Sequence, residues 1–306
     1  MNDIPNPAQD GATLLLSHPE TDELLQLVKQ QLTDETFNHQ DQQLIRQMVE
    51  CLGDTRGLVR LGFAEALGVV GKPAVDSLIE ALLHHPNAVV RRAAGKTLTL
   101  IEDPAAVPHL IHALLNDQDT VVQASAIGAL ARTGIASVDP LLEVLASPDS
   151  SESNKGHAAW GLSFIGTAAK DKLCQAYGSD SPEVRAAVVG AIAKIGEEDP
   201  SDTQALDLLA NALTDSVADI RHEAAAVLSN LKYQPAIPIL QDLLQHSEAE
   251  TRKSAALSLM KIGDQSSLPF LQRALEQESD HNARKAIALA ASLLQKQPII
   301  SSEDDW

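Results

Sequence analysis

Apolar residues Val184, Val188, Ile192 and Ile195 recur at i, i+4, i+8 and i+11 along a stretch that runs to Gly196. That spacing lines one face of a helix. Val90, Ala94, Leu98 and Ile101 repeat the stripe earlier in the chain. Each stripe opens on a phrase such as Val-Arg-Ala-Ala, preceded by a turn with an acidic or small polar residue. With Arg185 as register mark, the equivalent positions are Arg60, Arg91, Gln123, Lys155, Arg221, Arg252 and Arg284, spaced by 31, 32, 32, 30, 36, 31 and 32 residues. Self-similarity at this period marks an array in which each unit buries its apolar face on its neighbours. Five marks stand eleven residues before a glycine, namely Gly71, Gly134, Gly166, Gly196 and Gly263, which predicts that those helices end there.

A second apolar helix precedes each marked one. The pattern predicts these first helices over 74–83, 105–115, 138–145, 168–177, 203–213, 236–244 and 267–275, with Pro73, Pro104 and Pro235 near three of the starts. Asp54, Asn87, Asp119, Asp180, Asp219 and Asp280 stand in turns before the second helices as candidate caps. The single long spacing holds an acidic stretch over 196–202, read as a longer loop. Leu24, Leu25, Val28 and Leu32, then Leu44, Ile45, Met48, Val49 and Leu52, predict two helices without the repeat signature. The organisation expected is a flexible leader at 1–18, a helical cap at 19–53, the array at 54–297 and an acidic tail at 298–306. The fold class is all-α, a right-handed superhelical α-solenoid of short helix pairs.

Composition narrows the partners. With 42 Asp and Glu against 23 Lys and Arg, the formal charge of −19 argues against a nucleic-acid backbone or an anionic membrane surface. Cys51 and Cys174 are too few for a disulfide framework, and no apolar run is long enough for a signal sequence or membrane span, so the expected location is the cytoplasm. No phosphate loop, His-Glu-x-x-His or paired Cys-x-x-Cys is present, and no metal site is expected from His84, His85, His109 or His112. Cys51 and Cys174 read as small buried hydrophobes.

The segments Asp-Thr-Arg-Gly-Leu-Val-Arg at 54–60, Asn-Ala-Val-Val-Arg-Arg-Ala-Ala at 87–94 and Asp-Ser-Pro-Glu-Val-Arg-Ala-Ala at 180–187 resemble HEAT repeats. Units this short are similar to the phycobilisome-lyase-like branch of that family. The phrase Lys-Gly-His-Ala-Ala-Trp-Gly-Leu-Ser-Phe-Ile-Gly at 155–166 resembles the aromatic-bearing helices of bilin lyase subunits, with one Trp160 where those carry a doubled aromatic. The resemblance implies lyase-like or chaperone-like handling of a phycobiliprotein, a linear tetrapyrrole (bilin) as ligand with none covalently held, and a second HEAT-repeat subunit as a further partner. If the chain is itself an enzyme, the resemblance implies a phycobilin lyase or lyase-isomerase. The alternative from a different class is a non-catalytic scaffold, for example in iron–sulfur assembly or phycobilisome turnover.

Two readings attach to the recurrent arginines. They can bridge to turn carboxylates such as Asp180 or Asp219 along the stack, or Arg60, Arg91, Arg92, Lys155 and Arg185 can hold the propionates of a bilin or acids on a partner. His157 and Trp160, three apart, share a helix face. They read either as a core aromatic with a rim histidine, or as a stacking wall with a proton-moving group. The second reading notes that Gly190 occupies the position equivalent to Trp160.

Overall fold

The structure is a computed structural model that describes residues 16–296; the expected acidic tail and nearly all of the expected leader lie outside them. Seventeen α-helices and no strand occur among the described residues. They are α1 (His18–Thr33), α2 (Gln42–Glu50), α3 (Gly57–Val70), α4 (Val75–His84), α5 (Ala88–Ile101), α6 (Val107–Asn116), α7 (Thr120–Arg132), α8 (Val138–Ala146) and α9 (Glu152–Ile165). There follow α10 (Lys170–Ala176), α11 (Pro182–Glu198), α12 (Thr203–Ala212), α13 (Ala218–Asn230), α14 (Ile237–Leu243), α15 (Ala249–Ile262), α16 (Leu268–Gln277) and α17 (His281–Lys296).

From α2 onward, even-numbered helices are the first members of pairs and odd-numbered ones the second, and every register mark is the fourth residue of a second helix or one of its close equivalents. The described residues form two compact units, one of residues 16–141 and 150–157, the other of 142–149 and 158–296. In the first unit α3, α5 and α7 pack side by side, with α4 and α6 against them and α1 on the outer flank of α3; α2 packs on α3 and α4. In the second, α11, α13, α15 and α17 pack side by side, backed by α10, α12, α14 and α16.

The apolar stripes form the cores. Val184, Val188, Ile192 and Ile195 are all buried, as are Val90, Ala94 and Leu98. Short side chains let the helices approach closely: an added Cβ on Gly62 would meet Leu25 of α1, and one on Gly68 would meet Leu100 of α5. Gly71, Gly134, Gly166 and Gly263 have φ of 71, 66, 63 and 84°, the left-handed region that ends a helix at little cost only for glycine. Gly196 departs from the expectation. It is helical and buried, its position abutting Leu206 and Leu209, and α11 runs on to Glu198, so the first three residues of the expected acidic loop are helix.

The caps divide in the same way. Asn87, Asp119 and Asp280 accept backbone N–H groups at helix starts. Asp180 does not, because Ser181 caps α11, and Asp219 lies inside the first turn of α13.

Candidate functional site

The marked residues build a ladder with two kinds of rung. One rung is local: the side-chain N–H of the mark donates to the backbone carbonyl six residues earlier. In the first unit Arg60 reaches Asp54, Arg91 reaches His85 at 3.0 Å and Gln123 reaches Asp117 at 2.8 Å. In the second, Arg185 reaches Ser179 at 3.0 Å, Arg252 reaches His246 at 2.8 Å, and Arg221 and Arg284 reach Asp215 and Glu278.

The other rung joins neighbouring repeats. Arg91 grips Asp117 with two bonds of 2.8 and 3.1 Å, Arg185 grips Asp215 with 2.8 and 3.0 Å, and Arg252 grips Glu278 with 2.7 Å each. Arg92 forks onto Asp119, and Arg221 reaches Glu248 and Thr251. The planar guanidinium fork suits such two-toothed contacts. The hydrogen bonds it donates, with its charge adding to them, hold the carboxyls of Asp119, Asp215 and Glu278 down at about 2. The arginines do bridge to carboxylates along the stack, but the partners are Asp117, Asp215 and Glu278, six residues before the next mark, rather than Asp180 or the side chain of Asp219. Lys155 is mostly buried and lies 4.0 Å from Glu152. Arg91, Arg92 and Arg185 thus have carboxylate partners within their own chain.

The open chemistry lies on the other side of the second helices. Positions two before and one, five and nine after each mark fall within one wedge, nearly opposite the buried stripe. Fourteen large hydrophobic side chains are exposed among the described residues, and ten of them occupy that wedge. In the first unit these are Leu58, Leu61, Val69, Val89, Leu100 and Val121. In the second they are Trp160, Phe164, Leu289 and Leu293. Neighbouring exposed apolar residues, as on α3 and α5 and at Trp160 with Phe164, call for an explanation that singly scattered ones do not.

The second unit carries the most distinctive part. Trp160 is 50% exposed and stacks on Phe164, ring centroids 5.3 Å apart and planes inclined by 28°. The ammonium of Lys194 on α11 sits 5.7 Å from the Phe164 ring centroid and donates to the carbonyl of Ser163 at 3.4 Å. Beside them Gly190 has no atom within 4 Å of where a Cβ would stand, so the surface next to the aromatic pair is low and open. A flat apolar wall, a cation at its edge and a shallow floor can hold a planar conjugated anion. Phe164 and Lys194 escaped the sequence reading; the signal was available, since both fall nine residues after a mark.

His157, which falls in the first unit, has a buried Nδ1 without a hydrogen-bond partner. Cys51 is buried and its thiol is pushed up to about 11 by desolvation; half-buried Cys174 is raised for the same reason. Cys174 borders a shallow groove of about 450 Å³ with Tyr177, Gln204 and Asp207. No group of three or more His, Cys, Asp or Glu side chains able to hold a metal ion occurs among the described residues, and no described helix is long and apolar enough to cross a membrane.

Comparison with known proteins agrees with this architecture. HEAT repeats match residues 45–131, 138–229 and 206–292. The chain is 37% identical over 229 residues to the bilin biosynthesis protein MpeU of Synechococcus sp. strain WH8020, covering 74% of this chain and 76% of that one. It belongs to the phycobilisome-lyase-like HEAT-repeat family. A second relative, the uncharacterized phycocyanin operon protein Z of Pseudanabaena tenuis strain PCC 7409, is 23% identical over 201 residues, 63% of this chain and 82% of that one. Among solved structures, Kap121p superposes on 90% of this chain and 36% of its own at a TM-score of 0.54 and 13% identity, which is a likeness of fold. The CpcE–CpcF complex of phycocyanin lyase from Nostoc sp. PCC7120, at a TM-score of 0.30, 18% identity and 61% coverage of this chain against 99% of that one, is too distant to bear on mechanism.

Proposed function

We propose that the chain handles a phycobiliprotein together with its linear tetrapyrrole, as a lyase-like or chaperone-like binding protein working through the outward face of its second helices. The observation that carries this reading is the exposed Trp160–Phe164 stack with Lys194 at its edge and open surface above Gly190. A bilin is an extended conjugated plane with propionate carboxylates. Its rings lie against Trp160, and a propionate meets the Lys194 ammonium. The relationship to MpeU, named for bilin biosynthesis, supports the choice of ligand.

Such a site contributes orientation: it holds the pigment extended while the acceptor thiol comes from the partner protein. Cys51 and Cys174 do not serve as acceptors in this scheme, since burial keeps both as thiols.

Titration of the purified chain with free biliverdin tests the pigment part. The expected result is saturable binding with a shifted visible absorbance, weakened at least tenfold by Trp160→Ala. Co-expression with phycobiliprotein subunits and a bilin source tests the whole, with retained apo-subunit or transferred pigment expected. A chain that neither changes the bilin spectrum nor retains or pigments an apo-subunit would sink the proposal.

A further inference from the structure

The last register mark, Arg284, has only one of the two rungs. It donates to the carbonyls of Leu275 at 2.8 Å and Glu278 at 3.0 Å, and no carboxylate among the described residues meets it. In the first unit the mark and the residue after it, Arg91 and Arg92, are met by Asp117 and Asp119 of the following repeat. On α17 the same two positions are Arg284 and Lys285, both exposed and neither in an ion pair among the described residues. α15 packs along one side of α17 with α16 behind it, and no described helix follows on the other side. The end of such an array leaves uncovered the edge that a further repeat would fill.

In a chain of net charge −19, α17 holds Arg284, Lys285 and Lys296 and no Asp or Glu. Of the acids beside it, Glu278 is taken by Arg252, Asp280 caps α17 through the N–H groups of Asn282 and Ala283, and Glu276 of α16 pairs with neither free cation. Lys285, Leu289 and Leu293 fall four apart and so share one stripe, with Leu289 and Leu293 50 and 41% exposed. From the helix end backwards the edge reads Leu293, Leu289, then Lys285 and Arg284. The ten residues that follow α17, outside the described part, read in matching order: Ile299 and Ile300, then Glu303 and Asp305. Glu303 and Asp305 are spaced by two, as Asp117 and Asp119 are.

We propose that the free edge of α17 docks the chain's own tail, residues 297–306, run back antiparallel to the helix. Ile299 and Ile300 cover Leu293 and Leu289, and Glu303 and Asp305 meet Arg284 and Lys285. The lengths agree. Arg284 stands twelve positions or about 18 Å from Lys296 along the helix, and the seven residues from Lys296 to Glu303 span about 23–25 Å when extended. The tail thus has enough chain to turn back and still set its acids beside both cations. Tethering holds it near the edge at an effective concentration on the order of mM, so contacts that are individually weak suffice. The tail supplies from within the chain the acids that the next repeat gives Arg91 and Arg92. The inference is independent of the pigment reading, because it needs neither the Trp160 stack nor a bilin.

Trp306, next to Asp305, reports the docking in the full chain carrying Trp160→Phe, where it is the single tryptophan left. Its fluorescence anisotropy in that chain is expected to be at least about twofold higher than after a further R284E/K285E change, because an undocked terminus moves on the nanosecond scale. Circular dichroism should stay that of the parent. Adding E303K/D305K to the R284E/K285E chain swaps the charges across the contact and should restore the anisotropy, a gain that misfolding cannot produce. Equal anisotropy with and without R284E/K285E, or no restoration by the swapped charges, would overturn the proposal. So would anisotropy that falls on dilution in step with dissociation of a dimer seen by sedimentation, since the tail would then lie on a second copy.

Discussion

Replacing Arg185 by Gln isolates one rung of the ladder. Gln123 already shows what a glutamine does at a register mark: it keeps the bond to the carbonyl six residues back, at 2.8 Å, and makes no two-toothed bond to a carboxylate. R185Q should therefore keep the contact to Ser179 and lose the pair of bonds to Asp215. Asp215 is nearly enclosed, its side chain 3% exposed, and Arg185 holds its carboxyl at about 2 against an ordinary 3.8. At 1.36 kcal/mol per pH unit that depression is worth about 2 kcal/mol at neutral pH. Tyr177 and the Val217 N–H still reach Asp215, so the carboxylate keeps two donors and the loss stays near that figure. The sign follows from the depressed folded value: the contribution is complete above the unfolded carboxyl pKa and fades as pH falls from about 4 to about 2, with roughly half left at pH 3. Urea unfolding followed by circular dichroism should place R185Q about 2 kcal/mol below the parent at pH 7 and about 1 kcal/mol below it at pH 3. A gap that stays constant between those pH values, or no gap at pH 7, would refute the electrostatic account of the ladder.

Glycine changes should split by conformation. Gly71→Ala, at φ 71° and ψ −137°, should cost about 1–3 kcal/mol, whereas Gly190→Ala, helical with open space above it, should stabilise by about 0.5–1 kcal/mol, both read from urea midpoints. Trp160→Ala should change stability by less than about 1 kcal/mol, because the ring is half exposed, while weakening bilin binding at least tenfold; a large loss of stability would return Trp160 to the core. Cys51, with its thiol near 11, should react with a disulfide reagent at pH 8 at least about a hundredfold more slowly than a free peptide thiol, and a comparable rate would contradict the burial assigned to it.

Helix positions were legible in the sequence because their signal is local: a 3.6-residue apolar period, proline near a start, glycine at an end. The first helix expected over 203–213 is observed as Thr203–Ala212, and that expected over 138–145 as Val138–Ala146. Gly196 misled because its local signal equals that of Gly263, while what decides between them is distant. Gly263 takes the left-handed turn, whereas Gly196 stays helical because Leu206 of the following helix packs where a side chain would stand.

The ladder and the working face escaped a local reading for the same reason, since both are properties of neighbouring repeats. Asp215 looks like an ordinary turn residue until Arg185, thirty positions earlier, is laid beside it. Leu58, Val89 and Val121 look like three isolated exposed aliphatics until the register marks align them. Once the repeat is written in register, however, both become visible as columns: an acid six before the mark in Asp54, Asp117, Asp149, Asp215 and Glu278, and an outward column whose content changes from aliphatic and cationic at α3 and α5 to aromatic at α9. The acid column ties neighbouring repeats together where the preceding mark is an arginine that reaches it, at Asp117, Asp215 and Glu278, and the variable one faces outward. In a repeat protein stability must be met at every unit, while recognition need be met only at a few. The departure from the repeat at Trp160, where its neighbours have Gly128 and Gly190, is therefore where function is to be sought.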